Sequence, residues 1–337
     1  MVGLKPTLQG DTMNEHFIKN IEIKNFKCFE NFKAEGFGRV NLIGGKNNVG
    51  KTAFMEACWV NVSSTDIKSL TYHLINIKYM RENLNILNKR PNNYTKPFME
   101  AQNGISVKSN INIIKYSIKD ENDGAVLYTF KIKDDYNEVN INDFSFLQSN
   151  MSNSLFIDSF GLSNNEIIQY YSAIQNKDEE LYLNRILSIF DSKIEVFKIM
   201  NDIPKCKVNG KYLEVTEFGD GVRHLISIVT SLYTCENGYL FIDEIDNGIH
   251  YTMLDELWKV ILDVSYTLNV QVFATTHSKE SIESFNRIQK EKKKQEAKNT
   301  YYFEMARNAK TDEIFMTQID SKQLEYGLSH NERVRGE

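Results

Sequence analysis

The chain has 337 residues, 41% hydrophobic and 25% charged, the balance of a globular protein built as one large domain or a domain with an elaborate insertion. A formal net charge of -5 gives no chain-wide basic signature, so nucleic-acid contact would need a local patch or a partner. The four cysteines, Cys28, Cys58, Cys206 and Cys235, show no CxxC or other metal-ligand spacing, and neither a signal-peptide segment nor a membrane-spanning length of apolar sequence is visible; reduced thiols, a cytoplasmic location and no membrane partner are expected. Residues 1–15 are expected to be a flexible segment. From residue 16 the pattern is strand-like: "FIKNIEIKNF", "FKCFENFKAEGF" and "RVNLIG" carry alternating or continuous apolar residues broken by Asn and Gly.

The third of these runs into "GGKNNVGKT", Gly44 to Thr52. Residues 52–62 then have helical composition, and Ser69 to Leu87 carries apolar residues at helical spacing. Between Ile105 and Phe146 the pattern returns to strands, "ISVKSNINIIKYSI" and "AVLYTFKI" around the turn "KDENDG", expected as a β-rich flap laid against the N-terminal sheet. "LYLNRILSIF" reads as a helix and "KCKVNGKYLEV" as a hairpin turning at Asn209-Gly210. Further on, "GVRHLISIVTSLYT", "GYLFIDE", "YTMLDELWKVILDVSYTLN" and "VQVFATTHS" alternate striped helices with fully apolar strands. That alternation predicts a parallel sheet covered on both faces, with ligands beyond the carboxyl ends of its strands. The run "KEKKKQEAK" interleaves Lys with Glu and reads as the solvated end of a helix.

Gly45-x4-Gly50-Lys51-Thr52 fits a P-loop. Its glycines let the backbone wrap an anion, and the amides of Asn47, Asn48 and Val49 with the helix start at Ala53 supply donors. Lys51 reaches the β- and γ-phosphates and Thr52 can ligate magnesium. A chance match in a chain of this length has a probability on the order of 1%, and a strand before and a helix after lower it further. "YLFIDE" delivers Asp243 and Glu244 at the end of a buried strand, one carboxylate to organise a metal and the next to polarise an attacking water. Alone, such a pair would read as a helix cap; its position relative to the P-loop and to "VFATTHS", where His277 ends the next strand, favours a site. In "FGDGVRHL", Gly219 and Gly221 free amides at a positive helix end and Arg223 adds a fixed charge. The plain alternative is a glycine turn that starts a helix; two nucleotide sites shared across a symmetric dimer would use it otherwise.

The order of P-loop, "FGDGVR", "YLFIDEIDNGIHY" and "VQVFATTHS" resembles the ABC-class ATPases of the Rad50, RecF and overcoming-lysogenization-defect (OLD) group, and most closely the stand-alone AAA15/AAA21-type ATPases of prokaryotes. The resemblance runs from Ile21 through "YYFEMAR" and "DEIFMTQI" to the C-terminal "VRG". It implies an α/β ABC-ATPase head: a mixed sheet with a P-loop NTPase core (residues 16–60 and 212–337), an N-terminal antiparallel β subdomain, and a helical and β-rich insertion (61–211). It further implies that two heads sandwich ATP and Mg2+. Carried over, Lys51 and Thr52 hold phosphate and metal, Asp243 is the Walker B aspartate, Glu244 the catalytic base and His277 the switch histidine. Gly219, Gly221 and Arg223 act in trans, and Asp246 falls in the D-loop. The signature is GDGVR rather than LSGGQ, Gln102 is a weak choice for the Q-loop, and neither long heptads nor a zinc-hook CxxC is present. His250 reads as structural or D-loop-supporting.

The function this favours is an ATP-hydrolysing dimer, or higher homo-oligomer, acting as a switch. Relatives of the OLD type carry a TOPRIM nuclease domain after the ATPase, and this chain is expected to lack one, with a nuclease or toxin encoded beside it as in anti-phage systems of the PARIS or Septu kind. A RecF-like DNA-repair ATPase would need direct duplex binding, and a slowly hydrolysing scaffold would not need Glu244. "QNKDEE", with Asn176-Lys177, offers a guanine motif only in outline and reads as a charged loop.

Overall fold

The computed structural model describes residues 16–86, 103–120, 126–140, 153–291 and 299–329. Residues 1–15, Gln102, the strand-like residues 141–146, most of the Lys-rich run and the C-terminal "VRG" lie outside them. The alternation noticed at the N-terminus forms β1 (Asn20–Phe26) and β2 (Phe29–Glu35), an antiparallel pair with Ile23, Phe26, Phe29 and Phe32 turned inward. β3 (Val40–Gly44) is buried along its whole length and leads through the glycine loop into α1 (Lys51–Ser63) and then α2 (Ile67–Ile86). β4 (Ile105–Ser109), β5 (Ile113–Asp120), β6 (Val126–Ile132) and β7 (Asp135–Asn140) follow. They are not a flap laid against the N-terminal sheet: β4 hydrogen-bonds edge to edge with β1, giving one six-stranded antiparallel sheet in the order β2-β1-β4-β5-β6-β7. Ile21 and Ile23 of β1 and Val107 of β4 then share the same buried face, which edge pairing allows and stacking would not.

β8 (Ser154–Ile157) is followed by α3 (Asn164–Gln175), which opens on a capping box between Ser163 and Glu166, and by α4 (Glu180–Phe190). β9 (Ile194–Met200), β10 (Ile203–Val208) and β11 (Lys211–Glu214) form a small antiparallel sheet. The β10–β11 turn at Asn209 and Gly210, both at positive φ, is the expected hairpin. Then come α5 (Asp220–Thr234), β12 (Tyr239–Ile242), α6 (Leu254–Thr267), β13 (Gln271–Thr275), α7 (Lys279–Glu291), β14 (Thr300–Arg307), β15 (Ile314–Ile319) and α8 (Ser321–Ser329). The core sheet has the order β15-β14-β3-β13-β12-β8, parallel except for β15. β8, inside the stretch expected as insertion, is therefore a strand of this core sheet.

Alternate residues of the core strands face two separate apolar clusters. Val40, Leu42, Leu240, Ile242, Val272 and Ala274 join the cluster that includes residues of α3 to α7; Ile43, Phe241, Phe273 and Phe303 join the one that holds α1 and the antiparallel sheet. Continuous burial of β3, β12 and β13 is the cost of being covered on both sides. Among the described residues no helix is long and apolar enough to cross a membrane.

Candidate functional site

Because β3, β12, β13 and β8 run parallel, their carboxyl ends come to one edge, and with them four sequence segments far apart in the chain. The loop after β3 turns at Gly45 (φ 135°) and Gly50 (φ 98°), where any side chain would strain the backbone; Asn48 (φ 63°) takes the left-handed conformation an Asn tolerates. Asn47 and Asn48 are exposed at the tip, while Val49 and Ala53 are buried and pin the loop to the core. Lys51 donates from Nζ to the carbonyls of Gly45 and Lys46, both at 2.8 Å. Burial holds its pKa below the usual lysine value, and the nearby Asp243 and Glu244 charges pull it back up.

Asp243 is the centre of the arrangement. Its Oδ2 accepts from Thr52 Oγ1 at 2.8 Å, and its Oδ1 accepts from Thr275 Oγ1 at 2.6 Å. The same Thr275 hydroxyl accepts from the N–H of Glu244 at 2.9 Å, so one buried side chain of β13 orients both acidic residues that follow β12. Glu244 itself lies at φ 51°, an unusual conformation for a residue with a long side chain, held by that bond and by Ile245 N–H donating to the Thr275 carbonyl at 3.0 Å. Thr276 Oγ1 donates to Asp246 Oδ1 and accepts from Ser278 N–H. His277, between these two, is exposed at the end of β13. His250 caps a short 3-10 turn through its Nδ1, 2.8 Å from Thr252 Oγ1, in agreement with a structural role. Asn176 and Lys177 lie in the turn after α3, where Lys177 pairs with Glu236, as expected of a charged loop.

The GDGVR segment is brought against Gly248 and Ile249 but is not bonded to the P-loop of its own chain: among the described residues no hydrogen bond links Gly219, Gly221 or Arg223 to residues 44–52. Gly219 is exposed with open space where a side chain would stand. Gly221 is packed instead, since a Cβ there would lie 2.2 Å from the carbonyl oxygen of Gly248. Arg223 donates from Nε to the Leu162 carbonyl at 2.9 Å, and Ser227 Oγ accepts from the Leu162 N–H at 3.0 Å. The first turns of α5 thus grip the loop that leaves β8.

That loop begins with Asp158, which reading the sequence missed. The N–H of Asp243 donates to the Ile157 carbonyl at 2.9 Å, which sets Asp158 beside the Walker B end. Burial raises the Asp158 pKa, with the negative charges of Glu166 and Asp243 adding to it against the N–H of Phe160. Thr275 and Thr276 were missed as well. Their only trace in the sequence is a pair of small hydroxyl residues at the end of an apolar strand, and "SLFID" is too short a run to stand out. The donor set of Thr52 hydroxyl and Asp243 carboxylate suits magnesium, a hard cation that takes one or two protein oxygens and leaves the rest to phosphate and water. When bound there it would neutralise phosphate charge. Among the described residues there is no group of three or more His, Cys, Asp or Glu that could hold a metal.

Comparison with known proteins bears on the same segments. Residues 157–282 match the family model described as AAA_15: AAA ATPase domain. The matched stretch holds the loop after β8, the GDGVR segment, Asp243, Glu244, Asp246 and His277, and leaves the P-loop to be read from its own pattern and geometry. An "ATP/GTP phosphatase" of Helicobacter pylori is 26% identical over 334 residues, covering 82% of this chain and 89% of that protein. An uncharacterised protein of Methanocaldococcus jannaschii is 39% identical over 65 residues, 19% of this chain and 27% of the other. The crystal structure of an SMC head bound to the C-terminal winged-helix domain of ScpA superposes with a TM-score of 0.51 at 11% identity, over 91% of this chain and 99% of that one. At that identity the likeness is one of fold, and it gives the chain the ABC-type head architecture.

Proposed function

We propose that this ATPase works as a dimeric, nucleotide-gated switch that hydrolyses ATP with Mg2+ and passes its state to a separately encoded effector, a nuclease or toxin, in prokaryotic anti-phage defence within the cytoplasm. The observation that carries the hydrolytic part is the 2.8 Å bond between Thr52 and Asp243, which ties the phosphate loop to the strand that also delivers Glu244. In this reading the loop amides and Lys51 hold the triphosphate, and Glu244 takes the proton of the water that attacks the γ-phosphorus as its bond to the β-phosphate oxygen breaks. Mg2+ at Thr52 and Asp243 supplies countercharge. The dimeric part is supported by Gly219: it is open to solvent and makes no bond to its own P-loop, so the start of α5 can meet a phosphate of the second protomer. In this reading Arg223, whose side chain is already fixed on Leu162, would take part in that contact with Asp246 and His277. The effector rests on the resemblance to OLD-type ATPases alone.

Phosphate release by wild type and Glu244→Gln, with sizing of both in the presence and absence of ATP and Mg2+, tests the reading. Glu244→Gln should release phosphate about 100-fold more slowly or worse and should associate when ATP and Mg2+ are added. Equal rates would remove Glu244 from its role, and an unchanged size would remove the dimer.

A further inference from the structure

The antiparallel sheet has one face packed on α1 and α2, through Ile23, Val107, Ile114, Phe130 and Ile132, and one face open. On the open face the register sets Lys24 of β1 opposite Ser106 of β4, Ser106 opposite Lys115 of β5, Lys115 opposite Lys131 of β6, and Lys131 opposite Tyr136 of β7. These five residues form one straight row across five adjacent strands. In the next row Lys108 stands opposite Glu22, whose carboxylate is paired with Lys33 at 2.9 Å. Lys24, Ser106, Lys108, Lys115, Lys131 and Tyr136 line a shallow depression of about 690 Å³, with Ser117 beside the lysines and the Thr129 hydroxyl buried.

Four lysines on one face of an acidic chain require a reason. Lys24, Lys108, Lys115 and Lys131 make no ion pair with any described residue. Like charges directly opposite across a strand pair destabilise it, and Lys115 faces Lys131. Protection of a sheet edge does not account for them either, because β4, β5 and β6 are interior strands and the edges are β2 and β7.

We propose that this face docks the phosphate backbone of a nucleic-acid duplex, without reading its base sequence. Lysine is a point charge suited to phosphate, and Ser106, in the same row as Lys24 and Lys115, brings a hydroxyl of the kind that positions a backbone. Among the described residues no arginine lines the depression, so the bidentate contact most used to read guanine is missing from them. Three strand spacings from Lys24 to Lys131 span about 14 Å, a length of duplex axis that presents about four phosphates on each strand. A lipid surface fits less well, since Ile113 and Tyr136 are the large apolar side chains exposed here and neither belongs to an amphipathic helix. The inference makes no use of the nucleotide site and stands or falls apart from it.

The test is a titration of a fluorescent DNA duplex with the full chain over a salt series, comparing wild type with Lys115→Ala/Lys131→Ala. Lys193→Ala/Lys211→Ala, in the turn before β9 and at the start of β11 in the other antiparallel sheet, serves as the charge-matched control. The wild type should bind at low salt with log K falling linearly against log salt, and the control should match it. The ladder variant should bind roughly tenfold or more weakly, its salt slope shallower by about two, while its ATP hydrolysis and thermal midpoint show that it is folded. No binding by wild type at low salt overturns the proposal, as does a ladder variant or control that fails to separate from the other. Lysine-dependent binding to phosphatidylserine vesicles, or to polyglutamate as tightly as to duplex, would assign the face to a lipid or an acidic protein instead.

Discussion

At the carboxyl edge of the core sheet, charged groups have been given partners: Asp243 accepts from Thr52 and Thr275, Asp246 from Thr276, and Lys51 donates to two loop carbonyls. On the open face of the antiparallel sheet, Lys115 and Lys131 face each other with no acidic partner among the described residues. The first arrangement holds its geometry before any ligand arrives, as electrostatic catalysis requires. The second leaves repulsion in place, which salt screens and a bound polyanion would relieve. The two regions also differ in how they are assembled. Parallel strand ends gather the first from distant segments, and simple alternation along neighbouring strands produces the second.

Beneath each region lies one buried histidine, and acid should strike both alike. Burial pushes the pKa of His224, on α5 behind the nucleotide edge, from 6.5 down to about 4, with the Ile245 backbone opposing it; His73, on α2 behind the lysine-bearing sheet and against Trp59, is pushed by burial to about 4 as well. Each is neutral when folded, while the unfolded chain takes up the proton from 6.5 downward. Stability is therefore intact above pH 6.5 and lost as the pH falls toward 4, by about 3 kcal/mol for each histidine once protonation is complete in both states. Urea midpoints between pH 7 and pH 4 measure this, on wild type and on His224→Gln and His73→Phe. Each variant should flatten the decline by about half of the two histidines' combined share. A decline unchanged in His224→Gln would mean that the histidine behind the nucleotide edge is protonated or solvated in the folded protein.

Thr275 tests the paired region itself. Thr275→Val keeps the shape of a residue with no solvent exposure while deleting the donor to Asp243 and the acceptor of the Glu244 N–H. Loss of such a support behind a metal ligand costs about 10- to 100-fold in activity or metal affinity, roughly 1.4–2.8 kcal/mol. Turnover measured against Mg2+ concentration should show it, with ATP binding retained. If turnover is unaffected, the geometry of Asp243 is set by Thr52 alone.

The paired region was half legible in the sequence. The P-loop could be read because its chemistry is local: glycines at the required turns, then Lys51 and Thr52 in consecutive positions. Asp243 and Glu244 could be read because an apolar strand announces them. Thr275 and Asp158 could not, since their meaning depends on which strands lie beside β12, and β8 is only four residues long. α3 carries a legible sign of its own, Ser163 three residues before Glu166. The lysine row was hidden more completely. A net charge of -5 averages it away, and nothing in the chain order says that β4 lies against β1, which is what turns an expected flap into a single continuous face.

The smallest effect is the one that separates the two regions most directly. If Lys115 and Lys131 repel across the strand pair, then Lys131→Gln should stabilise the unbound protein, by about 0.2–1 kcal/mol at low salt. The gain should shrink as salt rises, because the screening length falls to about 8 Å at physiological ionic strength. Removing a charge from the nucleotide edge cannot do this: Asp243→Asn would leave Thr52 and Thr275 hydroxyls with a poorer acceptor, at a cost rather than a gain. Urea midpoints of Lys131→Gln across a salt series decide the matter. A variant less stable than wild type at low salt would show that Lys131 is held by favourable contacts within the chain, and the open face would then be a settled surface like any other.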